Sequence, residues 1–317
     1  MTAKAKPNWK TRFWAVVKYE LLWNIRKKKF IGVIAIAFVF TTLSLVLPVV
    51  MSNVTGQPLK PNPDYVVSSL ANISGFNFFL FAVVTVMNSI SGEFESGTIV
   101  SLLTKPVSRT IVFCGKLFAA FITLFSAYAI LFLYSTIGGT IIYGPQNNLH
   151  LIPLLLFGIL ISTFVYVSMV LAIGSISKSS LIAALGTFGS FIALSISSSI
   201  LSMFTDYAWI LNYLPGSGAT GYIKELNPQN PYLPGMAVFT GTDGIAANLI
   251  THILHPSMEV VFYKVGGITN GQPSLWTELY SEPISLIVLR AMVVAAIYIF
   301  IFLFIAWYAF KLAEVME

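Results

Sequence analysis

The sequence predicts an all-α membrane protein. Six transmembrane helices follow an N-terminal amphipathic helix at the cytoplasmic interface, a short charged connector joins spans two and three, and a long extracellular region separates spans five and six. Three observations predict this. The 317 residues are 56% hydrophobic and only 9% charged, with mean hydropathy +0.83; a surface facing water needs more charge than that, so the soluble globular class is excluded. Six apolar runs are long enough for a bilayer. Lysine and arginine fall almost wholly on one side of them.

A helix crossing about 30 Å of hydrocarbon needs about 20 apolar residues. The runs that qualify are Phe30–Val50, Ile73–Ile90, Leu117–Ile142, Leu151–Ile176, Leu181–Phe204 and Ile284–Phe310, the second reaching back to Tyr65 in its longest form. With a cytoplasmic N-terminus the inside holds fourteen basic residues and the outside three, Lys60, Lys224 and Lys264. Both termini are therefore expected in the cytoplasm and the protein in the cell membrane.

The elements divide as 1–29, an interfacial helix; 30–204, spans one to five, with the connector at 91–109; 205–283, the extracellular region; and 284–317, span six and a cytoplasmic tail. Asn8 caps a helix opening at Trp9. Phe13, Trp14, Val17, Leu21 and Ile25 share one face of it, with Tyr19 and Trp23 beside them and Arg12 and Arg26 opposite, a pattern suited to the headgroup layer. Lys27, Lys28 and Lys29 then mark the start of span one. Residues 205–283 are rich in Gly, Pro and Asn and read as ordered loops. Within them Met236–Leu254 is apolar but interrupted by Gly241, Asp243 and Gly244, which suggests a helix lying on the outer leaflet or dipping in from outside.

Polar residues inside the spans are few. Span five carries Ser195, Ser198, Ser199 and Ser202, and span two carries Asn77 and Asn88; hydroxyls and amides there serve helix-to-helix hydrogen bonds or line a path. Arg290 lies about 9 Å into span six by helical rise, either snorkelling outward or pairing with Asp206 or Glu282. No span contains a central acid. His252 and His255 lack a nearby carboxylate or thiolate and make a poor metal site, and the lone Cys114 excludes an intrachain disulfide. No residues stand at catalytic spacing.

The connector SGEFESGTIVSLLTKPVSRT, residues 91–110, concentrates charge in a chain that has little. Ile99, Leu102 and Leu103 form an apolar ridge, Pro106 stops a helix and Ser108 can cap the next. Acids flanking such a ridge suit the docking of a soluble partner.

The stretch E-x-E-x-G-T-I-x-x-L-L-T-x-P-V-S-R, Glu93–Arg109, followed by Lys116, resembles the cytoplasmic connector of type-2 ABC transporter permeases. The resemblance implies a coupling helix seated on an ATPase subunit through Glu93, Glu95, Gly97, Thr98, Leu102, Leu103, Pro106 and Arg109. It implies two ATPase subunits carrying ATP and Mg, a second permease subunit, identical or not, contact with membrane lipid, and no nucleic acid. It also implies a translocation path between permease subunits lined by spans two and five, where Asn77, Asn88, Ser195, Ser198, Ser199 and Ser202 lie. The chain itself has no cofactor and no ATP site: its Gly115–Lys116 pair has Thr110 and Leu117 where a phosphate loop needs Gly and Ser or Thr. The implied function is the membrane subunit of an ATP-driven exporter. An ion-driven secondary transporter, which needs intramembrane carboxylates and usually internal repeats, and a scaffold or enzyme acting through the outer region are the alternatives.

Overall fold

The computed structural model describes residues 8–26, 28–73, 75–98, 107–223, 237–266, 268–269, 272–273 and 276–313. Ten helices order the described chain: α1 Trp9–Arg26, α2 Lys28–Thr55, α3 Tyr65–Ala71, α4 Gly75–Val86, α5 Ser91–Glu95, α6 Arg109–Tyr143, α7 Ile152–Ser177, α8 Ser180–Phe204, α9 Ile245–Leu254 and α10 Ile284–Leu312. Six helical segments are long and apolar enough to cross a membrane, and they coincide with the six apolar runs. The end that carries α1, α5 and the last turn of α10 is called the basic end below; the opposite end carries a β-sheet.

Burial ranks the spans. In α7 72% of the most apolar stretch is buried, against 17% in α2 and in α8, so α7 is the central post and the other two are peripheral. Around it Phe78 and Phe81 of α4, Leu124 and Tyr128 of α6, and Leu155, Ile159 and Tyr166 of α7 form one core. Phe81 stacks on Tyr128 at 4.9 Å, and the Tyr128 hydroxyl meets the Thr163 hydroxyl at 3.0 Å, which removes the cost of burying either.

Two elements are refined and one expectation is corrected. Span two is present, but its regular helix, α4, is shorter than the apolar run. The chain turns after α3, starts again at Gly75, and turns once more over Met87–Ile90 before α5. The buried residues of α1 share only Val17 with its apolar stripe. Asn8 accepts a bond from the Trp9 amide at 2.7 Å as expected, but Val17, Glu20 and Asn24 are the buried residues, while Trp9, Trp14, Tyr19, Trp23 and Ile25 stay exposed. The reason is a lysine on α6, described below, which draws a carboxylate inward. Finally, residues 205–283 are not only loops. They form a four-stranded antiparallel sheet of β1 Thr220–Ile223, β2 Ala237–Phe239, β3 Glu259–Val265 and β6 Trp276–Pro283 in the order β2-β1-β3-β6, with a small hairpin of β4 Ile268–Thr269 and β5 Gln272–Pro273. Val260 faces Glu282 and Phe262 faces Tyr280 across β3 and β6. Lys224 and the rest of 224–236 lie outside the described residues.

The apolar stretch after β2 dips into the bundle. Helix α9 packs against α7 and α10, with Ile245, Ala246, Asn248 and Ile250 buried. A Cβ on Gly158 of α7 would lie 2.8 Å from the Ala246 Cα, so glycine is what allows this approach. Just before α9, the Thr242 carbonyl accepts from Ser162 at 2.6 Å. Asp243 accepts from the Tyr166 hydroxyl at 3.1 Å to each oxygen. Tyr166 is fourteen residues into α7, about 21 Å by helical rise. The segment between β2 and α9 thus delivers a buried acid to the middle of the bundle, although no span contributes one.

Candidate functional site

The connector residues come first. The turn at Met87–Ile90 buries Ile90 and redirects the chain into α5, where Ser91 bonds back to the Met87 carbonyl. α5 then presents Glu93 inward and Glu95 sideways. Lys116, on the second turn of α6, is only 4% exposed and holds two carboxylates, Glu20 of α1 at 2.5 Å and Glu93 of α5 at 2.8 Å. A lone buried ammonium would cost several kcal/mol; two acids offset that and leave the cluster with one excess negative charge. One lysine therefore ties three elements together.

Glu95 is exposed on its outer side but accepts from the Ser180 backbone amide at 2.7 Å and from the Ser180 hydroxyl. Ser180 is the first residue of α8, so the carboxylate sits where free N–H groups and the helix dipole favour a negative charge. Between the acids, Phe94 meets the Phe310 ring edge-on at 6.4 Å, and Lys178 lies 5.5 Å over it.

Arg109 closes the other side. Its Nη1 donates to the carbonyls of Lys311 at 2.7 Å, Ala313 at 2.8 Å and Phe310 at 3.3 Å. A guanidinium thus caps the C-terminus of α10, the negative end of its dipole. Next to it, Trp307 donates its indole N–H to Thr110 at 3.2 Å. Ser108 caps α6, accepting from the Ile111 amide at 3.3 Å as expected.

Gly97 and Thr98 are exposed, and Gly97 has φ +67°, a left-handed conformation that glycine adopts without strain. Ile99, Leu102, Leu103, Lys105 and Pro106 lie outside the described residues. The described part of the connector is therefore a short exposed tip, Glu95–Thr98, on a base bonded to α1, α6, α8 and α10. The bonds from Glu93, Glu95 and Arg109 that make up this base are charge-assisted, the stronger kind.

The residues expected to line a path are not brought together. Asn77 is half-buried in the first turn of α4 and Asn88 lies at the basic end beside Gly92. Ser198 and Ser202 are buried because residues 218–220 cover them: Ser198 donates to the Gly218 carbonyl, and Ser202 accepts from the Thr220 amide at 3.0 Å. Ser195 is half-buried and Ser199 is exposed, donating to the Ser195 carbonyl at 3.0 Å. Arg290 pairs with Glu282 through both its terminal nitrogens at 2.9 and 2.7 Å, while Asp206 takes Lys264 at 2.6 Å. His252 closes α9 and His255 follows its end, and no metal-binding cluster occurs among the described residues.

The sequence reading missed Lys116 and Glu20 as one unit. The connector motif ends on Lys116, but nothing in it pairs that lysine with Glu20. The spacing Val17, Glu20, Asn24 is a helical stripe, and an acid within it is the signal that this stripe faces a cation. Asp243 with Tyr166 left no such signal, since the two are 77 residues apart.

A family comparison decides the class. Residues 14–315 match the family described as ABC-2 family transporter protein. The chain belongs to this family. No curated protein matches it. As an ABC-2 family member it is a multi-pass membrane protein and the permease of an ABC transporter, a transport component and not itself a catalyst. Membership implies association with ABC ATPase subunits.

Proposed function

We propose that this permease is the membrane half of an ATP-driven exporter in which the connector at 91–109 is the coupling helix, the basic end is cytoplasmic, and two permease subunits sit over two ATPase subunits that bind ATP and Mg. One observation supports the reading above the rest: the exposed tip Glu95–Thr98 stands on a base bonded to α1, α6, α8 and α10. Closure of ATPase subunits against the tip would tilt these helices as a set, a rigid-body transition. Glu93 and Arg109 act in this reading as anchors of the lever. Glu95, Gly97, Thr98 and the ridge Leu102, Leu103 and Pro106 form its contact surface. Ser195 and Ser199, the hydroxyls of α8 that the outer region does not hold, are the better candidates for the path, with Asn77, Asn88, Ser198 and Ser202 moving as it opens.

The test uses the tip and leaves the anchors alone. A tagged chain is expected to co-purify with a soluble ATP-binding protein, and Ser96→Arg with Thr98→Arg to abolish that association while the chain still elutes as a folded species. Association undiminished in the double variant would remove the docking claim. A cysteine at Thr98 in a Cys114→Ser background should react with a membrane-impermeant maleimide only in opened cells; labelling of intact cells would reverse the topology.

A further inference from the structure

Two turns meet at the sheet end, Pro-Gly-Ser-Gly at 215–218 and Thr-Gly-Thr-Asp-Gly at 240–244. Backbone bonds lace them together: the Gly241 amide donates to the Ser217 carbonyl at 2.9 Å and the Asp243 amide to the Gly216 carbonyl at 3.0 Å. The Gly216 amide donates to the Thr242 hydroxyl at 2.8 Å. A Cβ on Gly241 would lie 2.4 Å from the Gly216 oxygen, so the turns touch backbone to backbone. This junction reaches three helices. Ser198 of α8 donates to Gly218, Ser162 of α7 donates to Thr242, and Tyr166 of α7 donates to the Asp243 carboxyl. The same carboxyl lies against Gly75, the first residue of α4. Helix α9 starts two residues later, at Ile245.

Asp243 is 6% exposed, and the helices around it offer it no cation. None of α4, α7 and α8 contains a charged residue. In α10, Arg290 is held by Glu282 through both terminal nitrogens, and Lys311 is in the last turn, at the basic end. The titratable group of α9 itself is His252, in its last turn. What faces the carboxyl among the described residues is the Tyr166 phenol, the Ser217 hydroxyl at 3.5 Å and the Gly75 backbone. A neutral acid is tolerated in such a place, whereas a carboxylate is drawn toward water. Burial accordingly pushes Asp243 up from 3.8 to about 7. We propose that the junction is a proton-operated latch: the neutral Asp243 carboxyl seats α9 and ties α8 to α7, and loss of its proton to water at the sheet end releases residues 240–254 from the bundle.

The latch needs no ATPase, so its failure would leave the coupling reading untouched. The test is hydrogen exchange of the full chain in detergent from pH 5 to 8.5, read by mass spectrometry, with each amide rate divided by its intrinsic rate at that pH. What remains is the opening equilibrium of each segment. Release of one proton makes the opening of α9 rise about tenfold per pH unit between about pH 5 and 7 and level off above that. Amides in the middle of α6 should stay flat, because the bundle remains folded. Asp243→Asn, close in shape and neutral at every pH, should hold α9 at its protected level throughout. His252→Gln should keep the parent's slope. A flat profile for α9 in the parent overturns the latch, and so does a slope that persists in Asp243→Asn. A slope lost in His252→Gln would assign the titration to the histidine, and an equal slope in α6 would make it global unfolding; either result also overturns the latch.

Discussion

Replacing Lys116 by methionine removes one positive charge from a place where two carboxylates remain. The side chains of Lys116 and Glu20 are 4% and 6% exposed, and that of Glu93 16%, so water replaces little of what is lost. With an effective dielectric constant of about 20, contacts at 2.5 and 2.8 Å are each worth about 6 kcal/mol before desolvation. Desolvation of the three groups offsets most of that, and the net cost of breaking a buried pair is about 3–5 kcal/mol. The expected outcome is a fall in Tm of roughly 5–8 °C in detergent, followed by tryptophan fluorescence. The decisive comparison is the triple variant Lys116→Met, Glu20→Gln, Glu93→Gln. With no charge left to strand, it should recover most of the loss, because uncharged replacements of a buried ionic cluster are often neutral or better. A single variant as stable as the parent, or a triple variant no better than the single one, would refute the claim that Lys116 joins α1, α5 and α6 electrostatically.

Other consequences are equally direct. Arg109→Met strips three carbonyls at the end of α10 of their donor and should cost about 1–2 kcal/mol; hydrogen exchange should rise in the last turn of α10 and not in α9, and unchanged exchange there would count against the cap. Gly75→Val places side-chain atoms where the Asp243 carboxylate lies, since even a Cβ would come within 2.1 Å of it. The variant should expose the α9 segment to protease from the sheet end, and protection equal to the parent's would contradict that packing. Asp243 is pushed up from 3.8 to about 7 by burial, partly opposed by the bonds from Tyr166 and Ser217. A raised folded-state value means that this acid's contribution to stability is full below about pH 4 and is lost as pH rises toward about 7. Asp243→Asn should therefore gain up to about 4 kcal/mol over the parent at pH 8 and little at pH 4. A gap in Tm that is flat with pH would show that the acid is not the group responsible.

Much of the architecture is legible because the bilayer imposes a length. A run such as Leu151–Ile176 has no other stable use, and the helix found there ends one residue later, at Ser177. Local caps were legible for the same kind of reason: Asn8 and Ser108 act on residues one and three positions away. The strands were not. β1 and β2 are four and three residues long, pair across a 13-residue gap in the described chain, and carry Gly221 inside β1. Such segments have neither the alternation nor the length that a sheet writes into a sequence. The candidate site was half legible. Motif and charge density pointed to Glu93, Glu95 and Arg109, but their partners Lys116, Ser180 and the end of α10 lie 23, 85 and about 200 residues away, and no local pattern records a pairing of that range. The same distance hid the role of Ser198 and Ser202, whose hydroxyls bind outer backbone.

The seat of α9 has a bearing on how the chain is made. Its two walls are α7, which precedes it, and α10, which follows it. During synthesis the segment therefore leaves the insertion machinery with only half of its groove in existence, and it cannot finish packing until the final span has entered. A truncation before Ile284 should strand it there, which makes the last helix the step that closes the fold.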